Sequence, residues 1–367
     1  MILRSLIMPT PPKDLLKKLF SQLPCDALLI EDEINLLYLL GFPISTGTLL
    51  LHPENSYLIV DGRYYEQCLK LSPFPVLLAK DEVLGTLLSD LPSIKTLGFS
   101  SDQTSYMRFL SFKDLEKKIT HSLSLVPIDS PLRSLRMIKT PEEMDLLRRA
   151  AILGSQGFDY VCRLLKEGIT EEEIAIELEL FWKKHGAKGV AFEPIIAFGM
   201  NSSMPHYRAG AHQLKKGQPV LIDIGVTYAH YHSDMTRTLF FGQPAPQLVT
   251  IYHCVLEAQM AALDLCRPGT KVGELDFVAR SLITQAGYGE NFTHSLGHGI
   301  GLAVHEFPIL RNKPPFAEVT LEPGMVITIE PGIYLPNVGG VRIEDSVLIT
   351  EDGYENLTNR SKEIQIL

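Results

Sequence analysis

Two stretches in the C-terminal part of the chain share a pattern at a constant offset of 101 residues. The matching pairs are Gly168 and Gly269, Glu173 and Glu274, Ile174 and Leu275, and Gly186 and Gly287. Each stretch has the apolar spacing of two helices around a glycine turn, and β-branched segments typical of strands follow it. We therefore predict two related helix pairs, four helices in all, that cover one curved sheet.

The remaining sequence predicts a second, smaller domain, which a chain of 367 residues is long enough to contain. Residues 1–130 alternate helical patterns with short apolar runs, which predicts a small α/β domain. The clearest runs are 26–30, 47–52 and 56–65. The predicted linker, 126–135, contains two prolines. Thr140 and Glu143 flank a proline in the pattern of a capped helix start, so the second domain is predicted over 135–367.

Composition excludes several classes of partner. The net charge is -9 and there is no run of lysines and arginines, which argues against nucleic acid or an anionic membrane. The first 12 residues are too short and too interrupted by prolines for a secretory leader or a membrane span. From this N-terminus we expect a cytoplasmic protein. The five cysteines are scattered, with no C-x-x-C pair, which indicates reduced thiols and neither a disulfide framework nor a zinc-thiolate site.

Four carboxylates lie in apolar, strand-like runs: Asp223, Asp234, Glu330 and Glu344. Any one of them could be an acid at a strand end that meets solvent or backbone N–H groups. Two unit charges about 4 Å apart, however, repel by roughly 4 kcal/mol at an effective dielectric near 20. A converging set therefore needs protons or a cation, and a multivalent metal is the simplest compensation.

His298 is the candidate ligand that accompanies these acids. Glycines on both sides of it, Gly297 and Gly299, disfavour a helix and let the backbone approach a crowded centre. The G-x-G-x-G pattern lacks dinucleotide spacing and a following lysine, which argues against a phosphate loop. Four carboxylates and one imidazole suit Mn(II), Fe(II), Co(II) or Zn(II), and bridging carboxylates can hold two ions.

In order and local context, these five residues resemble the metal ligands of the pita-bread metallopeptidases, best the Xaa-Pro aminopeptidase and prolidase branch. The supporting motifs are NSSMPHY, VLIDIG, SDMTRT, HSLGHGIG, VHE, IEPGIY and GVRIED. VDGRYYEQC, over 60–68, resembles the family's smaller creatinase-like domain. The resemblance implies an α+β protein: a creatinase-like α/β domain over 1–130, then a pita-bread (creatinase/aminopeptidase) domain over 135–367 with pseudo-twofold helix pairs on a curved antiparallel sheet.

The resemblance also implies a cofactor and a role for each ligand. The cofactor is a pair of divalent ions, foremost Mn²⁺, with Co²⁺, Zn²⁺ or Fe²⁺ as alternatives, which activates water and polarises the scissile carbonyl. Asp223 and Glu344 are expected to bridge the two ions. Asp234 is expected to complete one ion, and His298 and Glu330 the other. Glu330 is also expected to accept the proton of the attacking water.

Three further histidines, His206, His294 and His305, match family positions that bind substrate, stabilise the oxyanion or pass protons to the leaving nitrogen. A hydrogen-bonded structural role is the alternative for each. Arg342 lies two residues before Glu344 and so on the same strand face, where it could orient a ligand carboxylate. The alternative for Arg342 is a surface salt bridge.

The predicted function is an Xaa-Pro aminopeptidase, a dinuclear-metal enzyme that cleaves peptides with proline in the second position. The His206–Tyr207 pair favours this activity over that of an Xaa-Pro dipeptidase (prolidase), which is the first alternative. The second alternative is a catalytically idle pita-bread module that binds peptides or proteins. The resemblance further implies a homodimer.

Overall fold

The computed structural model describes residues 13–367. Residues 1–12, in which the sequence predicts no secretory leader, lie outside the described residues. The chain divides into two compact units, one that ends at Arg136 and one that begins at Met137. Every helix within residues 13–367 is too short or too polar to span a bilayer.

The first unit contains a six-stranded mixed sheet with helices. Its helices are α1 (Lys13–Phe20), α2 (Glu33–Leu40), α3 (Tyr65–Leu71), α4 (Val83–Ser89) and α5 (Tyr106–Lys118). Its strands are β1 (Ala27–Ile30), β2 (Thr48–Leu51), β3 (Tyr57–Val60), β4 (Val76–Leu78), β5 (Thr96–Ser100) and β6 (Ser124–Ile128). The strand order is β4-β3-β2-β1-β5-β6, in which β1, β5 and β6 are parallel and β1, β2 and β3 are antiparallel. The three predicted apolar runs supply β1, β2 and β3.

Two boundaries in this unit differ from the predicted ones. The run 56–65 ends as a strand at Val60, because the Asp61 carboxylate accepts the backbone N–H of Arg63 in a turn that leads to α3. The predicted linker, 126–135, begins inside β6 and ends inside the short helix α6 (Arg133–Met137). Pro127 is compatible with β6 because β6 is an edge strand, where a missing N–H donor is tolerated.

The second unit contains four long helices and thirteen strands among the described residues. The helices are α7 (Pro141–Leu164), α8 (Glu171–Lys184), α9 (Pro246–Leu263) and α10 (Val272–Gln285), with short 3₁₀ turns at Gly199–Ser203 and Gly289–Asn291. The strands are β7 (Gly189–Val190), β8 (Ile195–Phe198), β9 (Gln218–Ile224), β10 (Val226–Tyr228), β11 (Tyr231–His232), β12 (Met235–Phe241), β13 (Gly297–Gly299), β14 (Glu306–Leu310), β15 (Val326–Ile329), β16 (Gly332–Leu335), β17 (Gly339–Arg342), β18 (Asp345–Ile349) and β19 (Tyr354–Asn356).

These elements form two similar halves. In the first half α7 packs on α8, and their apolar faces bury against the antiparallel sheet β12-β9-β8. In the second half α9 packs on α10, against the antiparallel sheet β14-β13-β15-β18-β19. Two small sheets, β11-β10-β7 and β16-β17, complete the unit. An isolated antiparallel bridge between Thr236 and Glu344 links the two halves. The two predicted helix pairs are therefore confirmed.

The repeated glycines explain why the halves are alike. The backbone is left-handed at all four: φ is 86° at Gly168, 91° at Gly186, 91° at Gly269 and 88° at Gly287. A residue with a Cβ rarely adopts this conformation. The same turn makes the same bond in each half, because the N–H of Gly168 donates to the Leu214 carbonyl and that of Gly269 to the Leu321 carbonyl, both at 2.9 Å.

Helix α7 begins as predicted. The Thr140 hydroxyl accepts the Glu143 N–H, and the Glu143 carboxylate accepts the Thr140 N–H, which completes the capping box. Glu143 is buried, and its other carboxylate oxygen accepts the Tyr231 hydroxyl at 2.7 Å. This cap therefore also attaches the first helix to the strand pair that precedes Asp234.

Candidate metal centre

Asp223 and Asp234 come from neighbouring antiparallel strands, as predicted. Asp223 is the sixth residue of β9, and its register partner is Thr236 on β12. Asp234 lies immediately before β12. Both aspartates are largely buried, with 9% and 4% of their surface exposed. The two acids of the first half therefore converge on one end of the sheet.

Glu330 and Glu344 come from the second half and meet the same place. Glu330 directly follows β15, and Glu344 lies between β17 and β18. Glu344 is 2% exposed, its N–H donates to the Thr236 carbonyl at 3.1 Å, and its carboxylate accepts the Thr236 hydroxyl at 2.7 Å. All four acids line one cavity, so the alternative of unrelated acids at solvent-exposed strand ends does not hold.

His298 lies on β13, an interior strand of the second sheet between β14 and β15. A Cβ at Gly297 would overlap the Thr328 carbonyl, and one at Gly299 would overlap the Phe307 carbonyl, so both flanking positions need glycine. The ring Nδ1 is 3.0 Å from the Gly299 carbonyl, to which it can only donate. Nε2 is thereby left with its lone pair, 3.4 Å from Glu330 Oε1 and 3.7 Å from Asp234 Oδ2. Burial lowers the pKa of His298 to about 3, which keeps the imidazole neutral, as a ligand must be.

The donor set fits a divalent metal. Ligand atoms of Asp234, His298 and Glu344 all lie within 4.8 Å of one another. Asp223 Oδ1 is buried without a hydrogen-bond partner. Burial, then the charge of Glu344, raises the pKa of Asp234 well above its usual range. Buried carboxylates this close together require protons or a cation, and hard oxygen and imidazole donors suit a divalent transition metal.

The distances modify the expected division of ligands between two ions. The resemblance implied that Asp234 and His298 complete different ions, but their donor atoms belong to the same close group. Asp223, which was expected to bridge, has one oxygen bound by Arg342 and lies outside this group. Asp234, His298 and Glu344 therefore form the closest part of the donor set, and the division of the five residues between two ions stays a prediction.

Arg342 is buried and binds a carboxylate of the predicted ligand set, but that of Asp223 and not that of Glu344, two residues further along the chain. Its Nη2 donates to Asp223 Oδ2 at 2.5 Å, and its Nη1 donates to the Tyr334 hydroxyl at 2.6 Å. Its Nε donates to the Thr236 hydroxyl, which in turn donates to Glu344. The alternative of a surface salt bridge is wrong, because only 3% of the side chain is exposed.

The three additional histidines all line the cavity, in different ways. His206 and His305 are exposed to it, and the His305 ring packs edge-on against His298 with 4.3 Å between centroids. His294 uses both ring nitrogens inside the protein: Nδ1 donates to the Ser295 carbonyl at 2.8 Å, and Nε2 lies 2.9 Å from the Tyr334 hydroxyl. Because burial lowers the pKa of His294 to about 3, Nε2 accepts the Tyr334 proton.

Glu171 is a site residue that the sequence did not indicate. It is the first residue of α8 and is fully buried. Its carboxylate accepts four hydrogen bonds, at 2.8–3.2 Å, all from the segment 198–210. The donors are the Phe198 N–H, the Asn201 side-chain amide, the Tyr207 hydroxyl and the Gly210 N–H. This segment carries His206, so Glu171 fixes the loop that presents His206 to the cavity. In the sequence Glu171 resembles an ordinary acid in the first turn of a helix.

The cavity has a volume of about 600 Å³ and three kinds of wall. The acids and histidines form one wall. Apolar side chains form another: Phe192, Ile195, Val304 and Ile309. Glu193 and Arg208 line the cavity as an exposed ion pair, with Arg208 Nε 3.3 Å from Glu193 Oε2. The space is large enough for a small peptide, with an apolar surface beside the candidate metal ligands.

Two protein families match the two units. Metallopeptidase family M24 matches residues 145–351, and the Creatinase/Prolidase N-terminal domain matches residues 13–138. These matches agree with the division of the chain after Arg136.

Named relatives match almost the whole chain. The Xaa-Pro dipeptidase of Pyrococcus horikoshii is 38% identical over 92% of this chain and 94% of its own. The solved Xaa-Pro dipeptidase from Bacillus anthracis has a TM-score of 0.90 and 34% identity, over 97% of this chain and 99% of its own. The X-Pro aminopeptidase from Thermotoga maritima has a TM-score of 0.84 and 34% identity, over 95% and 100%.

Proposed function

Because the chain belongs to metallopeptidase family M24, we propose that it is an Xaa-Pro dipeptidase, which hydrolyses dipeptides whose second residue is proline. The family and its relatives make the protein a metallo-exopeptidase, and the predicted pita-bread fold with a creatinase-like N-terminal domain is confirmed. The observation that carries the proposal is the convergence of five acid and imidazole ligands in one peptide-sized cavity. This convergence argues against the second alternative, a catalytically idle pita-bread module that only binds peptides or proteins.

The dipeptidase has better support than the aminopeptidase that the sequence favoured. Relatives named Xaa-Pro dipeptidase are 37–38% identical over at least 92% of this chain. The His206–Tyr207 pair had favoured the aminopeptidase. Tyr207, however, directs its hydroxyl into the protein, where it donates to Glu171 at 2.8 Å. The tyrosine therefore anchors the loop through its hydroxyl, although its side chain also lines the cavity, and this structural role weakens it as a signal of peptide length.

We assign the ligands of two divalent ions, which we propose to be Mn²⁺, as follows. Asp234 and Glu344, whose carboxylates lie in one close group with His298, would hold the ions from the two halves. His298, Glu330 and Asp223 would complete the ligand set, and Asp223 offers Oδ1, since Arg342 holds its other oxygen. When bound, such ions supply Lewis-acid activation of water and of the scissile carbonyl.

The side chains of the chain itself orient the peptide and move protons. Glu330 takes the proton of the attacking water, since its carboxylate lies beside His298 and faces the cavity. His206 and His305 donate hydrogen bonds to the developing oxyanion or a proton to the leaving proline nitrogen. His294 acts through Tyr334, since both of its nitrogens are engaged. The apolar wall receives the proline ring.

Two further expectations accompany this function. The five cysteines are unpaired, which supports a reducing, cytoplasmic location. A homodimer stays a prediction of the resemblance, and light scattering of the purified protein would measure it.

The test compares an Xaa-Pro dipeptide with an Xaa-Pro-Yaa tripeptide in protein loaded with Mn²⁺. The dipeptidase is supported if kcat/KM is higher for the dipeptide. Cleavage of tripeptides alone would instead support the aminopeptidase. No cleavage of either peptide by protein with bound metal would reject both.

A further inference from the structure

His305 reaches the cavity from the connection between two paired strands. Strand β13 carries His298, and β14 begins at Glu306. Gly299 pairs with Glu306, whereas His298 pairs with Ile309, so β14 has a bulge beside the metal ligand. A bulge bends its strand and changes the direction of nearby side chains. His305 lies outside the ladder, so the direction of its ring depends on other contacts.

The Glu306 side chain supplies such a contact, because it folds back onto the connection. Its Oε1 accepts the Ala303 N–H at 2.9 Å, which closes a turn over 303–306. The two residues inside this turn, Val304 and His305, both line the cavity. Glu306 does not line it, and only 5% of its side chain is exposed. Glu306 therefore lies behind the turn and holds the residues that face the cavity.

The backbone packs closely around this carboxylate. A Cβ at Gly301 would lie 2.6 Å from Glu306 Oε2, so only glycine lets the chain pass at this distance. The Gly301 carbonyl also accepts the His232 N–H at 3.0 Å, which attaches the connection to β11. The connection is thus held at Gly301 and again at Ala303, shortly before His305.

Lys139 compensates the buried carboxylate. Its Nζ lies 3.3 Å from Glu306 Oε2, and only 1% of its side chain is exposed. Its backbone N–H donates to the Gly324 carbonyl at 2.9 Å, directly before the capping box that starts α7. A charge inside a protein needs an opposite charge and hydrogen bonds to stay there. The two side chains, 167 residues apart in sequence, therefore support each other behind the turn.

We propose that Glu306 is a positioning residue for His305: its carboxylate, compensated by Lys139, closes the turn that directs the imidazole into the cavity. This inference rests on the proposed function, in which His305 donates a hydrogen bond or a proton during cleavage. A misplacement of about 1 Å can lower the rate of an enzyme about 100-fold. The contribution of Glu306 therefore belongs in kcat and is made through His305.

Two double variants separate the turn bond from the ion pair. Lys139→Met with Glu306→Gln removes both charges but keeps an oxygen for the Ala303 N–H. This variant should keep kcat for an Xaa-Pro dipeptide within about twofold, because neutral residues of similar size often replace a buried ion pair without loss. Lys139→Met with Glu306→Met removes both charges and also the acceptor. It should lower kcat about 10- to 100-fold, with KM within about twofold and with the metal content of the Mn²⁺-loaded protein unchanged.

The same two variants in a His305→Ala background test the route of the effect. Residues that act as a unit are non-additive, so the two variants should then have equal kcat. A role in stability alone would leave their difference in place. Glu318→Ala is the matched control, because it removes an exposed ion pair with Lys271 outside the cavity. It should leave kcat unchanged.

Glu306→Asp tests the turn bond if the variant with two methionines fails to fold. Its shorter side chain keeps the charge beside Lys139 but draws the acceptor away from Ala303, so kcat should fall in the same way.

Four results would overturn the inference while the proposed function stands, in protein whose wild type cleaves Xaa-Pro bonds. They are equal kcat in the two double variants, a difference that persists without His305, loss of metal from the variant with two methionines, and wild-type kcat in Glu306→Asp. A metal-loaded wild-type protein that cleaves no Xaa-Pro peptide would reject the proposed function, and the inference with it.

Discussion

The two halves of the peptidase unit share a scaffold but contribute different chemistry. In both, a helix pair joined at a left-handed glycine packs on an antiparallel sheet. The first half supplies two aspartates and the loop of His206, whereas the second supplies the other histidines and both glutamates. The two halves thus repeat the scaffold but not the site residues. The residues of each half reach the same cavity from opposite sides and complement each other there.

The start of the second helix in each pair shows how one half was specialised. In α8 this position is Glu171, a buried acid that binds the loop of His206. At the equivalent position of α10 stands Val272, which is also fully buried but packs in the apolar core. The first position of the second helix therefore holds a site loop in the first half, whereas in the second half it only packs in the core.

The largest expected effect comes from removing one ligand of either half. Asp234→Asn and Glu344→Gln should each lower kcat/KM by more than about 100-fold. A residue that only hydrogen-bonds a metal ligand contributes up to about 100-fold, and these two residues are proposed ligands themselves. Both variants should also bind less metal, measured by elemental analysis after dialysis. Asp264→Asn, at an exposed position at the end of α9, is the control and should retain metal and activity. Full activity of either ligand variant would show that one half alone makes the site.

The second prediction concerns the metal-free protein, in which the acids of the two halves face one another. Burial raises the pKa of Glu330 from 4.5 to about 8. Between these values the folded protein holds a proton that the unfolded chain releases, so stability falls as pH rises. Thermal unfolding of chelator-treated protein should show Tm decreasing from pH 5 to pH 8. Added Mn²⁺ should raise Tm most at the upper end, because the metal competes with protons.

A third prediction separates the roles of Glu171 and Val272. Glu171→Ala leaves four donors without their acceptor, which should cost about 2–4 kcal/mol of unfolding free energy and lower kcat/KM about 10- to 100-fold. Val272→Ala should cost about 1–2 kcal/mol through lost packing and leave kcat/KM unchanged. Denaturant unfolding and steady-state kinetics measure the two effects. Equal kinetic losses in both variants would contradict the specialisation of the first half.

A smaller effect is expected from Tyr207→Phe, which removes one of the four hydrogen bonds to Glu171. The cost should be about 1 kcal/mol of unfolding free energy. The ratio of kcat/KM for dipeptide and tripeptide should stay unchanged, because the hydroxyl is bonded to Glu171 and Asn201 inside the protein. A changed ratio would show that Tyr207 contributes to the choice between dipeptide and tripeptide.

The smallest effect is expected at the cap of α10. Thr170 caps α8 with Glu173 in a capping box, but Lys271 stands at the equivalent cap of α10, where no side chain bonds the helix end. Lys271→Thr, with Glu274 already in place, should complete the box and raise Tm by about 1–2 °C in differential scanning calorimetry. A lowered Tm would mean that the two caps are not equivalent.

The sequence predicted the scaffold because local chemistry determines it. A left-handed turn needs the repeated glycines, and the capping box of Thr140 needs only residues three apart. The convergence of the acids could also be predicted, since buried charges in apolar strands require a common cation. The linker was misplaced because Val126 and Ile128, beside a proline, pair with β5 as an edge strand.

The partners of individual side chains could not be predicted, because they depend on tertiary contacts. The sequence places Arg342 two residues before Glu344 and predicts a shared strand face, but β17 ends at Arg342, which bonds Asp223, 119 residues away in sequence. The nitrogens of His294 are occupied by Ser295 and Tyr334, which no motif shows. These contacts change the proposed role of a residue without changing the list of site residues.

The most direct test of the account is a crystal structure of Mn²⁺-loaded protein with anomalous scattering recorded at the manganese edge. We predict two anomalous peaks among the five ligands, with Asp234 and Glu344, one from each half, both in contact with metal. Peaks that contact residues of one half only, or no peak beside Asp234, His298 and Glu344, would contradict a metal centre built jointly by the two halves.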